Sequence, residues 1–376
     1  MKIAVITTSY ANNYGALLQT YALQRYLTEN LSEDVVALDY RPPWCRHPWA
    51  ILSKPRTIKQ FLANIYTLLH IKECIFIKKR AMANKSFIDN FIKLSEKTYT
   101  NEEELQECKD NFDCLICGSD QIWNVAMRAD KMPHSVFFLQ FAKGWDKVKK
   151  IAYAPSIADP IPKNALETFK QYISIFDALS VREIDDVKVV QKMTDKKVHH
   201  VLDPVFLLSR EQWSDLASTP VINEKYILCY FLSYGTLSDK IVDKVRKITG
   251  YKVVNLNINQ YDKFKSDKVI WDASAQDFVS LIKNAEFICT NSFHCTAFSI
   301  IFKKDFVVVN KGWASSRMRS LQTVFGLKNR FVSEDWLDRV TPEMLKVDYD
   351  LVEDKIIRKK EESIKYLKGA LYGWED

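Results

Sequence analysis

The chain has 376 residues, of which 47% are hydrophobic and 27% charged, and it carries a formal net charge of +7. That composition is globular and excludes a disordered or fibrous chain, while the length exceeds what one hydrophobic core accommodates, so two domains are expected. The opening Met-Lys-Ile-Ala-Val-Ile is too short for the apolar core of a secretory signal, no uncharged apolar stretch reaches the length of a membrane span, and the eight cysteines are scattered, which fits reduced thiols in a cytoplasmic protein.

Short β-rich runs alternate with helical patterns from the first residue onward, as parallel sheets built from β-α-β units require. A strand over 3–7 runs into Thr8-Ser9-Tyr10-Ala11-Asn12-Asn13-Tyr14-Gly15-Ala16 and then a helix over 17–27. The loop is polar and small, but it is not G-x-G-x-x-G and lacks the Lys-Ser/Thr of a phosphate loop, so neither nucleotide device is supported. Asn13 and Tyr14 there suit a helix cap and a packing residue as well as they suit ligand contacts.

After a strand over 35–39, residues 41–80 hold nine Lys/Arg against one acid, Glu73, an excess of eight positive charges in a chain whose net charge is +7. Trp44, Trp49, Phe61, Tyr66 and Phe76 are interleaved, so this reads as a basic aromatic insertion. A solvated basic face, a surface for anionic lipid headgroups at the inner face of a membrane, and a surface for a lipid-linked diphosphate all fit it. Nucleic acid does not, because no recognised motif accompanies the charge.

The next strand, over 112–117, contains Cys114 and Cys117, which the period of two sends to opposite faces, so a zinc or redox pair is not expected. Gly118-Ser119-Asp120-Gln121-Ile122-Trp123-Asn124 follows at its carboxyl end. Asp120 can hydrogen-bond sugar hydroxyls or act as a base and Trp123 can stack on a sugar ring; equally, Asp120 caps a helix and Trp123 is buried. Strands over 151–154, 178–181 and 198–202 come next, and Ser180-Val181-Arg182-Glu183 puts a guanidinium at a strand end, suited to a carboxylate or phosphate or to a surface pair with Glu183 or Asp185.

The second half repeats the pattern, with strands over 226–232, 252–255, 287–290 and 306–309 and helices over 237–248, 275–283 and 292–302. The expected architecture is α/β, two doubly wound Rossmann-like lobes over 1–208 and 209–376, divided after Asp203-Pro204, with the ligand in the crevice between them. The charged stretch 350–369 has helical periodicity and is placed to pack back on the first lobe.

The strand-to-helix turn Thr290-Asn291-Ser292-Phe293-His294-Cys295 is the most informative point in the chain. A helix start favours an anion, and an imidazole beside it can exchange a proton with that anion, although a histidine here can also be satisfied by backbone contacts alone. Beyond it, Ser315-Ser316-Arg317-Met318-Arg319-Ser320 opens a helix from which one arginine, Arg317 or Arg319, can reach the same crevice.

In this order, these segments resemble the polysaccharide pyruvyl transferase family. The matching pieces are Asn13-Tyr14-Gly15-Ala16 with Gln19 and the Tyr-Ala-Leu-Gln at 21–24; Gly118 to Asn124; Tyr153-Ala154 with Ser156; Ser180 to Glu183; Leu202-Asp203-Pro204-Val205; and Ser292-Phe293-His294 with Thr296-Ala297-Phe298-Ser299. The resemblance implies a fold like that of the two-lobed GT-B glycosyltransferases, phosphoenolpyruvate as co-substrate without a cofactor or metal, and a hexose of a bacterial surface glycan or its lipid-linked precursor as acceptor. The product it implies is a pyruvate ketal.

Carried over by position, the family's histidine falls on His294 and its donor-binding arginine on Arg182. Ser292 and Phe293 stand where other branches have an arginine and an aliphatic residue, and Arg317 is the expected substitute for the missing arginine. Cys295 replaces a usual glycine and Asn291 a frequent aspartate. The site set is therefore His294 and Asp120 for catalysis, Arg182, Arg317, Ser292, Phe293 and Asn291 for the donor, and Asn13, Tyr14, Gln19 and Trp123 for the acceptor. A glycosyltransferase using a nucleotide sugar and a non-catalytic glycan-binding relative are the rival expectations.

Overall fold

A computed structural model describes residues 1–9, 13–42, 65, 71–220, 222–258, 265–309 and 316–374. Tyr10, Ala11, Asn12, Ser315 and most of the basic insertion, 43–64 and 66–70, lie outside the described residues. Seven parallel strands form the first sheet: β1 Lys2–Ile6, β2 Asp34–Tyr40, β3 Leu94–Tyr99, β4 Cys114–Cys117, β5 Lys149–Ala152, β6 Ala178–Val181 and β7 Val198–His200, in the order β3-β2-β1-β4-β5-β6-β7. Six make the second: β8 Tyr226–Tyr230, β9 Lys252–Leu256, β10 Lys268–Ile270, β11 Phe287–Thr290, β12 Asp305–Val309 and β13 Phe331–Val332, in the order β10-β9-β8-β11-β12-β13.

Both sheets reverse their winding beside the first strand, between β1 and β4 and between β8 and β11, and such a switch point opens a crevice at the carboxyl ends of the strands. The central strands β4, β6, β8 and β11 are buried at every position, as strands covered on both faces must be. Cys114 and Cys117 indeed take opposite faces of β4, each in a different hydrophobic cluster. The edge strands β3, β10 and β13 were not expected, because they are polar or only two or three residues long.

The first helix, Tyr14–Leu31, starts three residues before the predicted one and ends four after it, because Asn13 caps it through Gly15 N and Ser32 closes it in the left-handed region. Tyr14 joins the lobes: its hydroxyl donates to Ala273 O at 2.9 Å and its ring stacks on Phe278 at 4.9 Å. The end of the basic insertion is a helix, Ile71–Phe91, and Arg80 on it does not join a basic surface. It is buried, with its guanidinium at the carbonyls of Asn257 and Ile258 in the second lobe. The last helix, Asp350–Tyr372, returns to the first lobe, where Tyr366 donates to Ala152 O at 2.8 Å and Leu202 N donates to Ser363 Oγ at 2.9 Å. Among the described residues no helix is long and apolar enough to cross a membrane.

Candidate active site

Four strand ends meet in the crevice. β11 ends at Thr290, whose hydroxyl donates to Tyr230 O at 2.6 Å, and Ser292 caps the helix Phe293–Ile301 by accepting from Cys295 N at 3.4 Å. This turn projects Phe293 and His294 toward the first lobe. His294 Nε2 lies 3.5 Å from Asp203 Oδ2, and on the opposite side the ring rests against Gly15, where an added Cβ would fall 1.9 Å from Nδ1. Gly15 is therefore a glycine because the imidazole occupies the side-chain volume.

Asp203, fully buried at the end of β7, is the hub. Its Oδ2 accepts from Arg182 Nη1 at 2.8 Å and from Ser119 Oγ at 3.1 Å, and its Oδ1 accepts from Val205 N at 3.1 Å. Burial alone would raise its pKa, but His294, the Arg182 guanidinium and the Val205 N–H outweigh burial and hold the carboxyl well below the usual carboxylate range. Sequence reasoning took Asp203-Pro204 as a lobe boundary and missed Asp203 as a site residue. The available signal was its position, an acid at a strand end like Asp120.

Arg182, 3% exposed, is held on two edges, by Asp203 and by Glu183, which accepts from Nε at 3.0 Å. Its guanidinium lies over the Phe293 ring at 4.3 Å, a cation–π contact that explains an aromatic residue beside the histidine. The Arg182–Glu183 pair foreseen at the surface is thus buried, while Asp185 faces Arg319 at 3.9 Å. Arg182 Nη2 is buried without a hydrogen-bond partner among the described residues. Arg317 is in the same condition: its Nε is buried and unpartnered, and burial, reinforced by the charge of Arg182, lowers its pKa. Two ties bring its helix, Ser316–Phe325, to the first lobe: Ser316 Oγ donates to Ala158 O, and Ile184 N donates to Ser320 Oγ at 3.0 Å. Arg319 is exposed, so Arg317 is the arginine on the crevice side.

Asp120 lies at the rim, accepting from Thr8 Oγ1 at 2.8 Å and from Gln121 N at 2.8 Å. Its φ of 80° and ψ of 179° occupy a region almost reserved for glycine, a strained backbone of the kind that collects at functional sites. The other expected residues have structural partners. Asn291 accepts from Leu232 N at 2.8 Å and donates to Ser233 O at 2.8 Å, which ties the loops after β8 and β11. Gln19 is fully buried and donates to Thr7 Oγ1, Asn13 is the helix cap, and Tyr14 is the link between lobes.

Trp123 is 0% exposed, donates to Phe137 O at 3.1 Å and stacks on Phe138, so it has no ring face open to a sugar. The structure therefore removes the stacking role expected for Trp123, since the surrounding aromatic residues of the first lobe hold it in the core. Cys295 does not crowd the crevice either. It is fully buried in the core of its own helix packing, and burial pushes its thiol up to about 12.

Two Rossmann-like lobes with strand-end side chains converging on the crevice between them define a GT-B-like fold. The chain belongs to the polysaccharide pyruvyl transferase family, an enzyme family whose model matches residues 13–310. Solved structures share the fold. The Staphylococcus aureus MnaA–UDP structure aligns over 99% of this chain and 97% of its own, at 11% identity and a TM-score of 0.53. A putative UDP-N-acetylglucosamine 2-epimerase from Listeria monocytogenes aligns over 98% and 95%, at 10% identity and a TM-score of 0.53. No curated protein matches the chain.

Proposed function

We propose that this protein transfers the pyruvyl group of phosphoenolpyruvate to a hexose of a bacterial surface glycan or of its lipid-linked precursor, closing a pyruvate ketal. The observation that carries this reading is the pair of buried guanidinium edges, Arg182 Nη2 and Arg317 Nε, that lack partners among the described residues in a crevice also holding His294. A donor with both a carboxylate and a phosphate supplies two anionic groups for two such edges.

In the reaction, His294 gives a proton to the methylene carbon of the donor, and C2 gains oxocarbenium character. A sugar hydroxyl attacks C2 and passes its proton to His294 or Asp120. The C2–O bond to phosphate then breaks, and the second hydroxyl adds to C2 as its proton leaves with the phosphate. Asp203 Oδ2, 3.5 Å from Nε2, orients the imidazole for that transfer. Asn13 at the crevice mouth is a candidate contact for the acceptor, and the charge of 41–80 suits a lipid-linked acceptor at the inner face of a membrane.

The test is incubation with phosphoenolpyruvate and a panel of lipid-linked or nitrophenyl hexosides, reading the mass gain of a pyruvate ketal and the release of phosphate. His294→Ala is expected to lower phosphate release about 10²-fold or more. A near-normal rate would remove His294 as the acid, and preferential binding of a nucleotide sugar over phosphoenolpyruvate would overturn the donor.

A further inference from the structure

Directly behind Arg182 lies a second buried acid that the reaction above does not use. Glu183, 0% exposed, accepts through Oε1 from Arg182 Nε at 3.0 Å and from Ser156 Oγ at 2.8 Å. Asp186, 9% exposed, sits in the first turn of the helix Ile184–Gln191, where its N–H donates to Glu183 O at 3.1 Å and its carboxyl lies beside that of Glu183. Glu183 Oε2 and Asp186 Oδ2 are both buried with no donor from any other group among the described residues. Two acceptor groups side by side in a buried site need one proton between them, since leaving both ionised sets two like charges together in a poorly solvated place.

We propose that Asp186 is a positioning residue: as the acid it donates to Glu183, which holds the Nε edge of Arg182 and so keeps the Nη2 edge turned to an incoming anion. The inference rests on the donor reading above for the identity of that anion, though not for its charge. Burial, then the charge of Glu183, the hydrogen bond to it and the charge of Asp185, push Asp186 up to about 8, with Arg182 opposing. The proton is therefore present at neutral pH and lost above about 8, and a second carboxylate then competes with the ligand for the cationic site.

The groups that face Asp186 are few. Arg182, Glu183 and Asp185 come from its own segment, and Arg317 and Arg319 from the helix packed across it. On β7 alongside, His200 is pushed down to about 4 by burial, so it stays uncharged across the range.

The experiment is calorimetric titration of wild type, Asp186→Asn and Asp186→Ala with phosphoenolpyruvate and, separately, with inorganic phosphate, between about pH 6.5 and 9.5. Wild-type affinity for either anion is expected to weaken above about pH 8, by up to about tenfold per pH unit. Asp186→Asn, neutral throughout and still a donor to Glu183, should lose that alkaline fall while binding at neutral pH as wild type does. Asp186→Ala should bind weakly at every pH. The ligand's own titration is common to all three proteins and cancels in the comparison. An Asp186→Asn profile that superimposes on wild type would overturn the proposal. Phosphate binding with the expected profile, in the absence of phosphoenolpyruvate binding, would sink the donor and leave the positioning role standing.

Discussion

His294 is defined by what encloses it. The ring is fixed between an acid at 3.5 Å and the backbone of Gly15, so one added methyl tests the fit. Alanine favours a helix more than glycine does, and Gly15→Ala should therefore keep the helix while displacing the imidazole, lowering phosphate release about tenfold or more. Circular dichroism unchanged beside that loss of rate isolates the contact; an unchanged rate would show that the ring is not held there. Asp203 carries a different test. Its folded pKa lies below the ordinary value of about 4, so it adds stability above that value and loses it as pH falls through the folded pKa. Asp203→Asn should accordingly melt below wild type at neutral pH, with the gap narrowing as the pH is lowered below about 4.

At the scale of elements, the sequence is legible where one requirement dominates. Short apolar runs such as Tyr-Ile-Leu-Cys-Tyr in β8 and Phe-Ile-Cys in β11, each closed by polar residues, read as central strands, and the turns that follow them mark the crevice. Leu-Ser-Glu-Lys-Thr-Tyr in β3 has no such signature, because an edge strand buries little and its pairing is decided by the neighbouring β2. Single residues at strand ends were ambiguous for a related reason: Trp123 suits a sugar-binding site and a core equally well in sequence, and only packing separates the two.

The same distinction settles Cys295, whose side chain faces the interior of its lobe. Cys295→Gly should lower the melting temperature, from about 1 kcal/mol of helix propensity together with lost packing, and should not raise the rate. A faster enzyme would mean that the thiol does obstruct the donor. Trp123→Ala should cost about 3–5 kcal/mol in denaturant unfolding and leave the preference among acceptor sugars as it is in wild type.

Across the whole molecule, the site is tied to the last helix through the residue next to Asp203. One hydrophobic cluster runs from the first sheet through Tyr14 to Phe278 and Phe298 of the second lobe and on to Tyr366 and Leu367 near the carboxyl terminus. Within this cluster the helix Asp350–Tyr372 sets the carboxyl end of β7. Leu202 N, one residue before Asp203, donates to Ser363 Oγ, and Ser363 in turn donates to Lys359 O at 2.7 Å. The hydroxyl is thus both acceptor and donor in a buried place, and its removal leaves the Leu202 N–H without a partner. Ser363→Ala should therefore cost about 1–3 kcal/mol in unfolding and shift Asp203, lowering kcat/KM for phosphate release although residue 363 never meets a substrate. Ser363→Thr, which restores the hydroxyl, should recover most of both effects. An alanine variant that loses stability but keeps its full rate would show that Asp203 is held by Arg182, Ser119 and Val205 alone.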